Sequence, residues 1–367
     1  MSSRVAIERD LKALMMVPGL CGYEGRVRAA IKSKLSEAGL TTRTDRLGNL
    51  IATLDGDGPS VMLFTHMDQL GFVVRKIEPN GFVRVERVGG VPERALLSQA
   101  VLFQIGEGRD RLGVIGNKSH HATAPDEKYQ VVPYRDLVID TGLDNAEAVR
   151  AAGIKVGTPI VYKPQVLELS PDRIAGPGID DRAGCAILIE VSRQLAQSKK
   201  RPTVHIVFSV QEEFNLRGAV TAAQALKPEI AIQLDLLLTG DTPDMADRTE
   251  VSLGGGPGMS LYSFHGRGTL NGTIPHPALP ALFERAAGEA DLPLQRSAQT
   301  GVLTETSYVQ LVGEGVAAID VGFPCRYTHS SLEVCDLNDL VRLSELLLTA
   351  LPMIGPNFSL ERDDFEQ

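Results

Sequence analysis

The sequence predicts an α/β fold, a mixed sheet sandwiched by helices, with a small β-barrel domain inserted into it. Three observations carry this. Short β-branched, apolar runs such as Val204-His205-Ile206-Val207-Phe208-Ser209-Val210 alternate with helical patterns in the first and last parts of the chain, the texture of a sheet covered on both faces. Between residues 71 and 163 that texture gives way to many short alternating runs separated by Gly and Pro, the pattern of a small barrel. Acidic and imidazole residues collect at the ends of the apolar runs, the edge where α/β sheets place their sites. The expected boundaries are therefore 1–70 and 164–367 for the two parts of the α/β domain and 71–163 for the insertion.

The elements follow in order. Residues 6–39 alternate charged and apolar at helical spacing and are broken into two helices by Pro18, Gly19, Gly22 and Gly25, the second ending at Gly39. Residues 41–46 and 49–54 read as strands around Leu47-Gly48-Asn49, and 61–65 as a buried strand that delivers His66-Met67-Asp68. Inside the insertion one helix is expected over 145–152. Beyond it, helices over 181–197, 218–226, 277–290 and 339–351 alternate with strands over 203–210, 230–236, 294–298 and 316–321. Asp336-Leu337-Asn338 is a polar cap for the last helix.

Bulk properties exclude several function classes. A chain of 367 residues with 43% hydrophobic and 23% charged residues can bury a full core. Its net charge of -9 and the lack of a basic tract argue against nucleic-acid binding. No stretch is long and apolar enough to span a bilayer, so no membrane partner is expected. Cys21, Cys185, Cys325 and Cys335 form no C-x-x-C pair, and free thiols in a reducing compartment are the expectation. The N-terminus lacks an apolar leader pattern, which points to the cytoplasm.

The chemistry-bearing residues lie in five stretches. In Thr65-His66-Met67-Asp68 the alternate residues share a face, so Asp68 can fix the tautomer of His66 while the other ring nitrogen meets a metal. Gly176-Pro177-Gly178-Ile179-Asp180-Asp181-Arg182-Ala183-Gly184 sets two acids at a helix start. Capping explains one of them, and a carboxylate there could also bridge two cations. Glu212 and Glu213 end the central strand, where one suits a metal and the other a general base. Asp235 ends a further apolar strand, with Asp241 as a competitor whose turn setting suits a structural role. His329 follows Arg326-Tyr327-Thr328. Each stretch alone fits a cap, a turn or a solvated surface; their common place at strand ends favours a site. Two divalent cations about 3.5–4 Å apart acidify a bridging water and polarise a carbonyl, and imidazole–carboxylate ligands suit zinc, cobalt or manganese.

With these motifs in place, the chain resembles the TET-type glutamyl and deblocking aminopeptidases of the co-catalytic two-zinc peptidase superfamily. The resemblance rests on H-x-D-x-x-G (His66, Asp68, Gly71), D-D-R-x-G (Asp180 to Gly184), Q-E-E-x-x-x-R-G-A (Gln211 to Ala219) and R-Y-x-H-S (Arg326 to Ser330), in this order over nearly the whole chain. It implies a zinc aminopeptidase-like sheet and two divalent metal ions per subunit. The implied ligands are His66, Asp180, Glu213, Asp235 and His329, with Asp180 bridging and a cis Asp180–Asp181 peptide. Glu212 would be the general base, a metal-bridging water the nucleophile, and Asp68 the residue that orients His66. The implied activity is removal of N-terminal residues from short peptides. The implied assembly is a homo-oligomer, dimers formed through the β-domain building a dodecamer. Arg326 and Glu305 are expected at the substrate pocket.

The chain departs from the family pattern in three places. Asn215 stands where the family has Gly, and Asn tolerates a left-handed backbone. Thr304-Glu305-Thr306-Ser307 replaces a G-T-D-A-like segment. Leu236-Leu237 replaces a smaller polar pair. The last two bear on the substrate pocket. His120 and His121 read as surface residues of a loop. The rival readings are another amide hydrolase on the same core, such as a deacylase or carboxypeptidase, a glycosidase using Glu212 and Glu213, and a non-catalytic assembly protein.

Overall fold

A computed structural model describes residues 2–266 and 270–364. In chain order its strands are β1 (Thr42–Thr44), β2 (Leu50–Leu54), β3 (Val61–His66), β4 (Gly71–Ile77), β5 (Val83–Val88), β6 (Ala100–Phe103), β7 (Arg111–Ile115), β8 (Ile139–Asp140), β9 (Pro159–Tyr162), β10 (Leu167–Glu168), β11 (Arg173–Gly176), β12 (Val204–Ser209), β13 (Ile230–Leu238), β14 (Gly258–Phe264), β15 (Gly272–Thr273), β16 (Gln295–Thr300), β17 (Ala317–Arg326) and β18 (Glu333–Asp336). The helices are α1 (Ser3–Met15), α2 (Gly25–Glu37), α3 (Ala146–Ala151), α4 (Ile179–Gln197), α5 (Gly218–Leu226), α6 (Ala278–Glu289), α7 (Thr306–Val309) and α8 (Leu337–Ala350).

The large sheet runs β1-β2-β12-β3-β13-β17-β18-β11-β10, with β14 joined to β17 and β16. Its centre is parallel: β12 with β3, β3 with β13, and β13 with β17. Every residue of β3 is buried, as a strand covered on both faces requires. One face packs Leu63, Ile206, Leu234 and Ile319 against α1, α2, α4, α6 and α8; the other packs Phe64, Val207 and Ala231 against α5 and α7. α4 is buried almost all round because it lies on the sheet and is itself covered by α1 and α8.

Strands β4-β5-β8-β7-β6-β9 close a separate barrel. It has its own core, including Phe72, Val85, Phe103, Ile139 and Ile160. Among the described residues no helix is long and apolar enough to cross a membrane. Beyond the insertion β10, β11, β14, β15 and β18 escape the sequence reading. β14 carries small and polar residues in Gly-Met-Ser-Leu-Tyr-Ser-Phe, and β18 is only four residues long, too short for periodicity to register.

On the helical face a fully buried carboxylate ties three helices together. Asp10 of α1 accepts from Lys34 Nζ of α2 at 2.7 Å, from Arg193 Nη2 of α4 at 2.5 Å and from Arg9 Nε at 3.0 Å. Burial raises the Asp10 carboxyl, and the hydrogen bonds from Arg9, Lys34 and Arg193 more than reverse this, leaving it below the usual range. Because the folded value is the lower one, this stabilisation is full above the unfolded value near 3.8 and fades as pH falls through the folded value. Asp10→Asn is expected to cost about 1–3 kcal/mol at pH 7. In urea melts recorded from pH 7 downward, the gap between wild type and variant should shrink below pH 4; a gap independent of pH would refute the assignment.

Candidate metal centre

The residues singled out in the sequence converge at the carboxyl edge of the parallel strands. His66 is the last residue of β3, Glu212 and Glu213 follow β12, Asp235 lies in the second half of β13, and His329 follows β17. Asp180 enters from the other side, at the start of α4, where it and Asp181 have left helical φ/ψ and are joined by a cis peptide. One oxygen of Asp180 is 3.0 Å from His66 Nε2 and the other is 3.3 Å from His329 Nε2. Two triads result, His66–Asp180–Asp235 and Asp180–Glu213–His329, each offering three ligand atoms within 4.8 Å of one another.

A second set of contacts aims these groups. Asp68 Oδ1 lies 3.5 Å from His66 Nδ1, and its two oxygens accept from the backbone N–H groups of Glu212 and Glu213 at 3.1 and 3.0 Å. His329 Nδ1 lies 3.0 Å from the carbonyl of Gly90, which leaves Nε2 turned toward Asp180. Glu333 accepts from Asp180 N at 3.0 Å and from His329 N at 2.7 Å. Gln233 Nε2 donates to Asp235 at 3.0 Å. Asp181 accepts from Thr65 Oγ1 and from Gly184 N. A Cβ on Gly184 would meet Asp181 Oδ2 at 2.3 Å and Thr65 Oγ1 at 2.4 Å, so only glycine fits there. Asn215 has φ 75°, the left-handed backbone expected of the residue that replaces glycine.

Electrostatically the cluster is short of positive charge. Burial would raise the Asp180 carboxyl, but hydrogen bonds from His329 and His66 hold it well below the usual range. Burial, with Asp180 nearby, pushes Asp235 up to about 8, and burial pushes Glu213 up to about 7. Glu212 is raised mainly by burial. Burial alone would depress the two imidazoles; Glu212 and Asp180 raise His66, and Glu213 and Asp180 raise His329, well above the usual value. His66 Nδ1 and Glu213 Oε1 are buried with no hydrogen-bond partner among the described residues. Crowded acids, the orphaned Glu213 Oε1 and an N/O donor set fit divalent cations.

A third cluster, Cys21, Glu24 and Asp68, is satisfied by the protein: Glu24 accepts from Gly22 N and Gln211 N, while Asp68 is held as described above.

The triads open into a cavity of about 590 Å³, with Glu212, Asn215, Leu216, Leu236, Leu238 and Val302 on its walls. Two expectations need correction. Glu305 is not on these walls. It is fully buried behind them, accepting from Ser209 Oγ at 2.5 Å and Ala219 N at 2.6 Å, so its carboxylate is tied to the scaffold. Arg326 is also absent from the walls, its guanidinium forming a two-point pair with Asp241 at 2.9 and 2.6 Å. Asp241 is thus structural, as its turn setting suggests. His120 and His121 are exposed and touch each other edge-on. Sequence reasoning missed Glu333, Gln233 and Gly90; the only signal for Glu333 is an acid four positions after His329, leading into a buried strand.

The family model of the M42 glutamyl aminopeptidases matches residues 48–346. The lysyl aminopeptidase of Pyrococcus furiosus is 32% identical over 93% of this chain and 96% of its own. An aminopeptidase from the archaeon Desulfurococcus kamchatkensis has a solved structure with a TM-score of 0.91 at 30% identity, covering 100% of this chain and 99% of that one. The Pyrococcus horikoshii TET1 peptidase, described as assembling into a tetrahedron or a large octahedral shell, gives a TM-score of 0.83 at 27% identity, covering 94% and 99%. The family match spans β2 to β18, the inserted barrel and each of the stretches gathered at the cavity, and the chain belongs to the M42 glutamyl aminopeptidase family of peptide hydrolases.

Proposed function

We propose that this aminopeptidase works with two divalent cations and removes N-terminal residues from short peptides. The observation that carries the reading is the shared carboxylate, since Asp180 meets His66 on one oxygen and His329 on the other. His66, Asp180 and Asp235 would hold one cation, and Asp180, Glu213 and His329 the other. Zinc suits this donor set, with cobalt and manganese as alternatives. Cations bound there supply Lewis acidity toward a carbonyl and activate water at neutral pH.

The chain's own residues do the rest. Glu212 lines the cavity, belongs to neither triad, and is the general base: its carboxylate takes a proton from a water in the cavity and delivers it to the departing amine nitrogen. Asp68 orients His66 and fixes the backbone of both glutamates. Among the described residues the lining includes no Arg or Lys. A carboxypeptidase or an acylamino-acid deacylase needs a cation for its substrate's carboxylate, whereas a free peptide N-terminus brings positive charge to an acidic cavity, which favours the aminopeptidase reading.

We further assign dimer formation to the barrel, with dimers building a dodecamer. The supporting observation is that β7 presents Leu112 and Val114, 54% and 49% exposed, on the barrel exterior. The four cysteines are free and buried, in keeping with a cytoplasmic setting.

Three outcomes test this. Dialysis against a chelator should abolish hydrolysis of an aminoacyl-anilide, and zinc, cobalt or manganese should restore it; activity that survives chelation sinks the two-cation reading. Glu212→Gln should lower kcat about 10²–10⁴-fold with metal content, measured by elemental analysis, unchanged. Glu333→Ala should weaken metal affinity about 10–100-fold in a competition titration with a metal-binding dye. Glu333→Gln should weaken it as well, because its amide keeps one acceptor and sets an NH2 group against the second backbone N–H.

A further inference from the structure

Beside the main cavity lies a smaller chamber that shares Leu236, Leu238, Val302 and Thr304 with it. Its volume is about 20 Å³, room for one water-sized group. Three buried polar atoms on its walls have no hydrogen-bond partner among the described residues: Asp320 Oδ2, Gln299 Oε1 and Ser263 Oγ. Their residues are 4%, 5% and 3% exposed. Buried polar groups in native proteins are almost always paired, so three orphans around one chamber call for a ligand.

Two of the three side chains are held by their other polar atom. Asp320 Oδ1 accepts from Thr304 Oγ1 at 2.9 Å. Gln299 Nε2 donates to Ser297 Oγ at 3.0 Å and reaches Leu238 O at 3.4 Å. Carboxylate and amide oxygens can only accept, while a serine hydroxyl can do either. Burial pushes the Asp320 carboxyl up to about 6, with Thr304 pulling the other way and Thr306, whose hydroxyl donates to Gln233 Oε1 at 2.8 Å, close by, so it is mostly an anion at neutral pH. Such a set recognises a small cation with several N–H donors. The shared walls are largely aliphatic, matching methylenes that carry the cation inward.

The geometry points to this chamber as the far end of the pocket for the substrate's N-terminal side chain, selecting the primary ammonium of lysine. This assignment rests on the aminopeptidase reading. An ammonium is water-sized, whereas the planar guanidinium of arginine is larger than the chamber. Leucine would leave all three acceptors unpaired, and glutamate would set a second carboxylate against Asp320.

The test compares lysyl-, norleucyl-, leucyl-, arginyl- and glutamyl-anilides on the metal-loaded full chain at pH 7. Norleucine is lysine without its ammonium, so this pair isolates tip recognition with no variant needed. Lysyl kcat/KM should exceed norleucyl by about 10–100-fold, the range of a charge-assisted buried contact. Asp320→Asn should collapse that ratio to about threefold or less. Should Asp320→Asn fail to fold, Ser263→Ala should lower the ratio severalfold. Equal lysyl and norleucyl rates, with leucyl cleaved, would overturn the assignment and leave the chamber to a buried water. Cleavage of none of the five would overturn the aminopeptidase reading, and this assignment with it.

Discussion

A single buried carboxylate, Asp180, has to present one oxygen to each of two imidazoles, and much of the surrounding structure is explained by that demand. An acid at a helix start would ordinarily turn back to cap its own helix. Here the chain is steered away from that outcome. Gly178 takes a left-handed φ of 73°, and Asp180 and Asp181 leave helical geometry. Asp181 is anchored downward on Thr65 and Gly184 N. Arg182, fully buried, binds the carbonyl of Met67 and the side chain of Gln69 at 3.2 Å, joining the start of α4 to the segment that follows His66. The neighbours of Asp180 hold the loop, and Asp180 is left to face the cavity.

The inserted barrel is part of this arrangement. It separates His66 from Asp180 in the sequence, yet it begins at Gly71, five residues after His66, and its end is packed against its beginning. A Cβ on Gly71 would lie 2.2 Å from the carbonyl of Ile160, so glycine there lets β4 and β9 close. The loop after β5 then brings Gly90 back to His329. A carbonyl from the insertion thereby selects the tautomer of an imidazole carried by the main sheet, in the way that outer hydrogen bonds commonly orient metal-facing histidines.

Legibility from sequence follows the physics of each feature. β3, β12 and β13 are mostly apolar because both faces are covered, so His66 at the end of β3, Glu212 and Glu213 just past β12, and Asp235 as an acid within β13 stand out. Asp68 is legible through the two-residue periodicity of an extended chain. Glu333 and Gly90 act through contacts with residues 153 and 239 positions away, and no local pattern encodes such pairings. Arg326 and Glu305 misled for a related reason. Charged residues near a site suggest ligands, but each has a partner, Asp241 or Ser209, that only the fold reveals. Asp320 lies inside an apolar strand and carried no signal at all until its neighbours were known.

The charge balance of the cavity also constrains what can enter it. Glu212, Glu213, Asp180 and Asp235 face one cavity, and among the described residues its lining brings no Arg or Lys to offset them. Two divalent cations would neutralise four carboxylates, with the two imidazoles then free to bind as neutral ligands. A substrate carrying a carboxylate at the reacting end would meet no Arg or Lys among the described residues of the lining. A free amino terminus arrives as a cation, and any surplus negative potential draws it in. The number of acids gathered at this edge is therefore what a pair of divalent cations requires.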